Sequence, residues 1–103
     1  FDYESVSNKS VIGNHKHFPE SNQWEFIFVL GDNSRELIEF RFRNIDQNIE
    51  DILLRGGDIV SVPPGCSLAL VALHEDVQVI EISNKVYDPN NYVLDKLFSE
   101  NGI

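Results

Sequence analysis

An all-β domain is the fold class this chain predicts, because short runs of β-favouring residues recur along it and turn residues punctuate them. No long amphipathic helical pattern interrupts that rhythm before Tyr87. The first runs, about Tyr3–Ser7 and Ser10–Gly13, are brief. In Trp24–Leu30, period-two alternation sets Glu25, Ile27 and Val29 on one side and Trp24, Phe26, Phe28 and Leu30 on the other. Both sides are mainly apolar, which predicts a barrel wall whose outer face packs on a partner subunit or another sheet.

Gly31-Asp32-Asn33-Ser34 reads as a hairpin loop into Arg35–Arg43, and the polar stretch Asn44–Asn48 as a loop before Ile49–Leu54. Arg55-Gly56-Gly57 precedes Asp58–Val62, Pro63-Pro64-Gly65 precedes Leu68–Leu73, and His74-Glu75-Asp76 forms a hairpin turn before Val77–Ser83. In that last run Val77, Val79 and Glu81 oppose Gln78, Ile80 and Ile82. Asp88-Pro89-Asn90 reads as a turn or helix start. Apolar residues at Val93, Leu94, Leu97 and Phe98 predict a short terminal helix over Asn91–Phe98, capped by Asn90 or Asn91 and packed outside the β-core. Eight short strands of this kind point to a sandwich or barrel.

A length of 103 residues suits a single domain over residues 1–103. The 42% hydrophobic content is that of a chain that folds. With no Met in the sequence, the native start is expected upstream of Phe1. No run approaches a membrane span and no signal-peptide pattern opens the chain, so a soluble protein is expected. Cys66 is the single cysteine, which excludes an internal disulfide, favours a cytoplasmic location, and reads as a small buried filler rather than a nucleophile. The net charge of −9 repels phosphate backbones and anionic lipid, so neither nucleic acid nor membrane is an expected partner. It also disfavours an anionic nucleotide sugar unless Arg35, Arg41, Arg43 or Arg55 gathers at one mouth of the fold. Phosphate loops, nucleophile elbows, Cys-x-x-Cys pairs and dinucleotide fingerprints are absent. Asn44–Asp51 lacks calcium-loop spacing, and Asn8-Lys9-Ser10 matches the glycosylation pattern by accident.

His15 and His17 are two residues apart, so in an extended segment both rings point to one side and can approach one ion or one substrate. Glu25 lies on the inward face, where an unpaired carboxylate costs several kcal/mol, on the order of the penalty for an uncompensated buried ion. It needs a partner: a metal ion, a sugar hydroxyl or a nearby histidine.

His15-Lys16-His17, Glu25 and Gly31, followed by Gly57-Asp-Ile-Val-Ser-Val-Pro63-Pro64-Gly65, resemble the two motifs of the cupin superfamily, HxH then Glu then Gly and G-x5-P-x-G-x2-H. The resemblance covers Gly13–Ser83 and implies a double-stranded β-helix, the jelly-roll barrel. Gly13-Asn-His15-Lys-His17 and the stretch Val79–Pro89 are similar to small single-domain cupins of deoxysugar and surface-polysaccharide biosynthesis, among them dTDP-4-keto-sugar 3,4-ketoisomerases and 3,5-epimerase-like proteins. The chain departs from that pattern in three places. Leu68 replaces the second-motif His, and His74 lies too far along to substitute. Ile12 replaces an Arg expected to meet phosphate, and Phe18–Gln23 is an inserted loop that makes Glu20 a rival acid.

The resemblance implies an isomerase or epimerase acting on a sugar-like keto substrate, with His15 and His17 as the catalytic pair, one or the other serving as general base, and Glu25 positioning or sharing a proton; the outer aromatic stripe predicts a homodimer. Tyr87 or Tyr92 would return the proton. Two alternatives stand beside it. One is a metal-dependent cupin in which His15, His17 and Glu25 bind Fe, Mn, Ni or Zn; the other is a non-catalytic binding or assembly domain, favoured by Leu68 and Ile12. The cofactor is accordingly a divalent metal or none.

Overall fold

Among the described residues, nine strands form two antiparallel sheets: β1 (Asp2–Val6), β2 (Val11–Lys16), β3 (Glu25–Val29), β4 (Glu36–Arg43), β5 (Ile49–Arg55), β6 (Ile59–Val62), β7 (Leu68–Ala72), β8 (Val77–Ser83) and β9 (Val93–Leu94). The computed structural model describes residues 2–6 and 11–98. Sheet A has the order β1-β8-β3-β6 and sheet B the order β5-β4-β7-β2-β9. All eight expected runs are strands, to within a few residues at their ends. The expected ends at Ser7 and Ser10 lie outside the described residues, as does the glycosylation pattern at Asn8-Lys9-Ser10.

The inward residues chosen by alternation meet between the sheets. Ile27, Val29 and Val79 from sheet A face Ile38, Phe40 and Leu70 from sheet B, all essentially without solvent exposure. A fully buried aliphatic or aromatic side chain contributes roughly 1.5–3 kcal/mol of transfer free energy, so this layer dominates stability. The opposite face of sheet A stays partly open: Trp24, Ile59 and Ile82 are exposed, and Phe26, Phe28 and Ile80 are half-buried.

Two expectations about connections are corrected. Gly31–Arg35 and the His74–Asp76 turn are not hairpins, because β3 and β4, like β7 and β8, belong to different sheets. Gly31 adopts φ +113 and the Gly56 N–H donates to the Asp32 carbonyl, so the chain leaves one sheet for the other there. Among the described residues the one hairpin lies at Asn44–Asn48, between β4 and β5, where Arg43 pairs with Ile49. Asn44 closes it by accepting at Oδ1 from the Asp46 and Asn48 N–H groups. Turn composition alone does not tell a hairpin from a crossing; strand pairing does.

The helix expected over Asn91–Phe98 is also corrected. A single 3-10 turn spans Pro89–Asn91, capped by the Asp88 side chain accepting from Asn90 N–H, and Tyr92 returns to extended backbone. Val93 and Leu94 then pair with Lys16 and His15 on the free edge of β2. A helix this short must meet its nucleation cost with few bonds, whereas the β2 edge offers its backbone groups ready-made. Leu97 and Phe98 do pack outside the main core, against Ala69 and Val71 on the outer face of sheet B.

Candidate functional site

His15 reaches the site through a local distortion of β2. Gly13 takes φ +99 and Asn14 φ +58, and the register with β7 shifts between Gly13 and His15, as in a bulge that re-aims a side chain. Only glycine fits at position 13, since a Cβ there would stand 2.7 Å from the Leu68 carbonyl oxygen. His17 follows just beyond the strand. Their rings meet edge to face with centroids 5.1 Å apart, so both turn to one side as the spacing predicts.

Glu25 opens β3, paired with Ser83 on β8 and Val62 on β6, and points between the sheets. Its Oε1 lies 3.4 Å from His15 Nε2 and makes a short hydrogen bond with His17 Nε2. The inward carboxylate therefore has two imidazole partners. Nδ1 of His17 lies 2.5 Å from the Asn91 carbonyl oxygen, which can only accept, so that contact needs a proton on Nδ1, and the contact of Nε2 with Glu25 needs a second proton, on Nε2 or on the carboxyl. Tyr92 stacks on His15, with centroids 4.5 Å apart and planes 20° from parallel, and Tyr87 meets Tyr92 edge-on.

Burial opposes charge on both members of the central pair, and their mutual attraction overcomes it. For His15, burial pushes the pKa down, but the hydrogen bond and charge of Glu25, with Glu81 adding to them, raise it above the ordinary value. For Glu25, burial pushes up, but His15 and then His17 hold it below the ordinary carboxylate range.

These groups line a cavity of about 570 Å³ whose other walls include Gln23, Glu81, Ser83 and Lys85. Lys85 is its one Lys or Arg among the described residues. The arginines do not gather here: Arg41 pairs with Asp51, Arg43 with Asp95 and Arg55 with Glu36, and Arg35 lies beside His74. Glu20 is exposed and stands outside this cavity, lining a neighbouring one, so it does not compete with Glu25. His74 bonds the Glu36 carbonyl and does not approach. Leu68 is buried directly opposite His15. Cys66 is half-buried, donates weakly to the Arg43 carbonyl and has its thiol pKa pushed up by burial, as suits a filler.

Sequence reasoning missed a chain of amides behind the site. Ser83 Oγ accepts from Gln23 Nε2, Gln23 Oε1 accepts from Asn91 Nδ2, and Asn91 Oδ1 accepts from Phe18 N–H. Sequence separation hid it, since residues 18–23 and 83–91 meet only in the fold. Glu81 carried a signal, falling on the inward face with Val77 and Val79.

The donor set also fits a divalent cation. One atom each from His15, His17 and Glu25 lies within 4.8 Å of the others, and a carbonyl fixes the far nitrogen of His17, as second-shell partners of metal-bound imidazoles do.

No family model matches the sequence, and no curated protein matches it. Solved structures do. Capsular polysaccharide assembling protein CapF from Staphylococcus aureus is 20% identical at a TM-score of 0.71, over 93% of this chain and 26% of its own. The sugar 3,4-ketoisomerase QdtA from Thermoanaerobacterium thermosaccharolyticum, in complex with TDP, is 15% identical at 0.72, over 92% and 65%. ChmJ, a 3'-monoepimerase from Streptomyces bikiniensis in complex with dTDP-quinovose, is 14% identical at 0.79, over 99% and 54%. This chain thus spans about a quarter to two-thirds of those proteins. At these identities the likeness is one of fold, and that fold is the cupin-type pair of antiparallel sheets shared with sugar-modifying proteins.

Proposed function

We propose that this domain binds a nucleotide-linked keto sugar in the His15–Glu25 cavity and moves a proton beside its carbonyl, as an isomerase or epimerase. The observation that carries this reading is the convergence of His15, His17 and Glu25 on one cavity with Tyr92 against them. His15 is the base, being the more exposed of the two imidazoles and the one held less closely by Glu25. Its neutral Nε2 takes the proton from the carbon next to the carbonyl, and the bonding pair becomes the C=C of an enediolate. His17, fixed between Asn91 and Glu25, holds Glu25 so that its charge stabilises the imidazolium formed on His15. The proton returns to carbon from His15, or from the Tyr92 hydroxyl with the His15 imidazolium then reprotonating the tyrosinate. Return to the same carbon from the other face gives the epimer; return to the former carbonyl carbon, with the hydroxyl proton passing to the former carbonyl oxygen, gives the isomer. Lys85 meets the phosphoryl oxygens.

Transfer of deuterium from heavy water into TDP-4-keto-6-deoxyglucose, followed by NMR, tests the reading. Exchange should fall by about 10²–10⁴ in His15→Asn. A wild-type domain that neither exchanges the sugar's protons nor is stabilised thermally by a nucleotide sugar would falsify it.

A second reading is favoured by the three converging donors. His15 Nε2, His17 Nε2 and Glu25 Oε1 would hold a divalent metal, which when bound would supply Lewis-acid polarisation of a substrate oxygen. Elemental analysis of the purified domain separates the two.

We also place a second copy over the outer face of sheet A. Phe26 pairs with Ile82, and Phe28 with Ile80 and Ile59, giving adjacent apolar columns without a charged side chain on a chain of net charge −9.

A further inference from the structure

We infer that the segment Asn91–Phe98 is a clasp that sets the orientation of both histidines, and that Asn14 is the positioning residue that locks it. The inference rests on the reading of His15 and His17 as the working groups of the site.

The segment touches both rings. Its first residue accepts from His17 Nδ1 through the main-chain carbonyl, and its second stacks on His15. His15 has little else to hold it: its buried Nδ1 makes no hydrogen bond of normal geometry among the described residues, the Gly13 backbone acting on it only as a weak contact that helps raise its pKa, and Glu25 reaches it at 3.4 Å. Neither ring is steered from within β2 alone.

The far end of the segment is tied to the residue between Gly13 and His15. Asn14 Oδ1 accepts from the Leu97 and Phe98 N–H groups, 3.0 Å each, and Nδ2 donates to the Phe98 carbonyl at 3.0 Å. Its own carbonyl accepts from Asp95 N–H at 2.8 Å. One buried side chain thus satisfies three backbone groups some eighty residues away, in a backbone conformation (φ +58) that asparagine tolerates better than most residues. No apolar residue could replace it without stranding those groups. Asp95 adds a bidentate ion pair with Arg43, and Arg41 lies 4.0 Å over the Phe98 ring while donating to the Leu97 carbonyl. Asn14 points away from the chemistry and carries none of it. It closes a loop in which the residue before His15 holds the strap that in turn holds His15 and His17.

The test uses the full chain labelled with ¹⁵N in histidine. Long-range ¹H–¹⁵N correlation reports which ring nitrogens bear protons. In the wild type, His17 Nδ1 should carry a proton held by the Asn91 carbonyl, whether or not Nε2 also carries one against Glu25. In Asn14→Ala, amide exchange at Asp95–Phe98 should quicken about fivefold or more, as loss of buried hydrogen bonds requires. Exchange at Ile27 and Val79 should stay unchanged, and His17 should shift to a mixture rich in Nε2–H. Asp95→Asn, which loosens the Arg43 pair from a partly exposed position, should move both readouts the same way to a smaller extent, and it decides the matter if Asn14→Ala does not fold. Faster exchange at Asp95–Phe98 with His17 still on Nδ1–H overturns the inference. So does a wild-type His17 on Nε2–H alone, or unchanged exchange in the variants that fold. Absence of sugar turnover in the wild type bears on the proposed reaction and leaves this result standing.

Discussion

Leu68 lies directly across from His15 in the β2–β7 pair, buried at 1% exposure, at the position that by resemblance to the second cupin motif would carry a histidine. The substitution removes a donor from the site and adds its apolar bulk to the main core. Leu68→His should therefore tighten Co²⁺ binding by at least about tenfold, by adding a fourth donor. It should also lower Tm, since an imidazole replacing leucine in the core costs about 1–3 kcal/mol. Cobalt absorption and a thermal melt check both. Unchanged cobalt affinity in a folded variant means position 68 does not reach the three-donor cluster.

On the proposed reaction, the Tyr92 ring and its hydroxyl have separable roles. Tyr92→Phe keeps the stack on His15 and removes the proton donor, so kcat should fall by about 10²–10⁴ with KM little changed. Tyr92→Ala should also loosen His15 and raise KM. Equal kinetics for Tyr92→Phe and wild type would leave the tyrosine as a platform only.

Stability should depend on pH through the central pair. The His15 pKa is raised in the fold above 6.5, so its contribution is complete below that value and is lost as pH rises through the folded pKa. The Glu25 pKa is lowered below 4.5, so its contribution is complete above that value and is lost as pH falls through the folded pKa. In metal-free protein both terms are whole between pH 4.5 and 6.5. Relative to the wild type, His15→Gln should flatten the decline in Tm above that window. Parallel profiles for the two proteins would show that the pair does not govern it.

A charge on the outer face of sheet A should disperse the proposed dimer. Phe28→Lys sits between Ile80 and Ile59 with its side chain half-buried. Light scattering during size exclusion should read one chain mass, 11.8 kDa, for the variant and twice that for the wild type. A monomeric wild type at high micromolar concentration removes the second copy from that face.

Gly13→Ala should destabilise by about 1–3 kcal/mol, because position 13 has φ +99 and a Cβ would press on the Leu68 carbonyl. Chemical denaturation measures it. A loss smaller than that would mean the β2 bulge can relax, and with it the aim of His15.

The strands and faces of this protein are written in its local pattern. Alternation in Trp24–Leu30 sets Glu25, Ile27 and Val29 on the inward face, and in Val77–Ser83 it groups Glu81 with Val77 and Val79, because a pleated strand has period two whatever it packs against. The His-x-His spacing likewise put two imidazoles on one side. What the tertiary structure decided was which distant groups meet. Gly31–Arg35 became a crossing because β4 found β5 and β7 rather than β3, and residues 91–98 became a strap because the β2 edge and the Asn14 amide offered more hydrogen bonds than an isolated helical turn. The same closure brought Asn91 to His17 and Tyr92 to His15. Contacts across more than seventy residues depend on sheet order and register, which no local periodicity encodes.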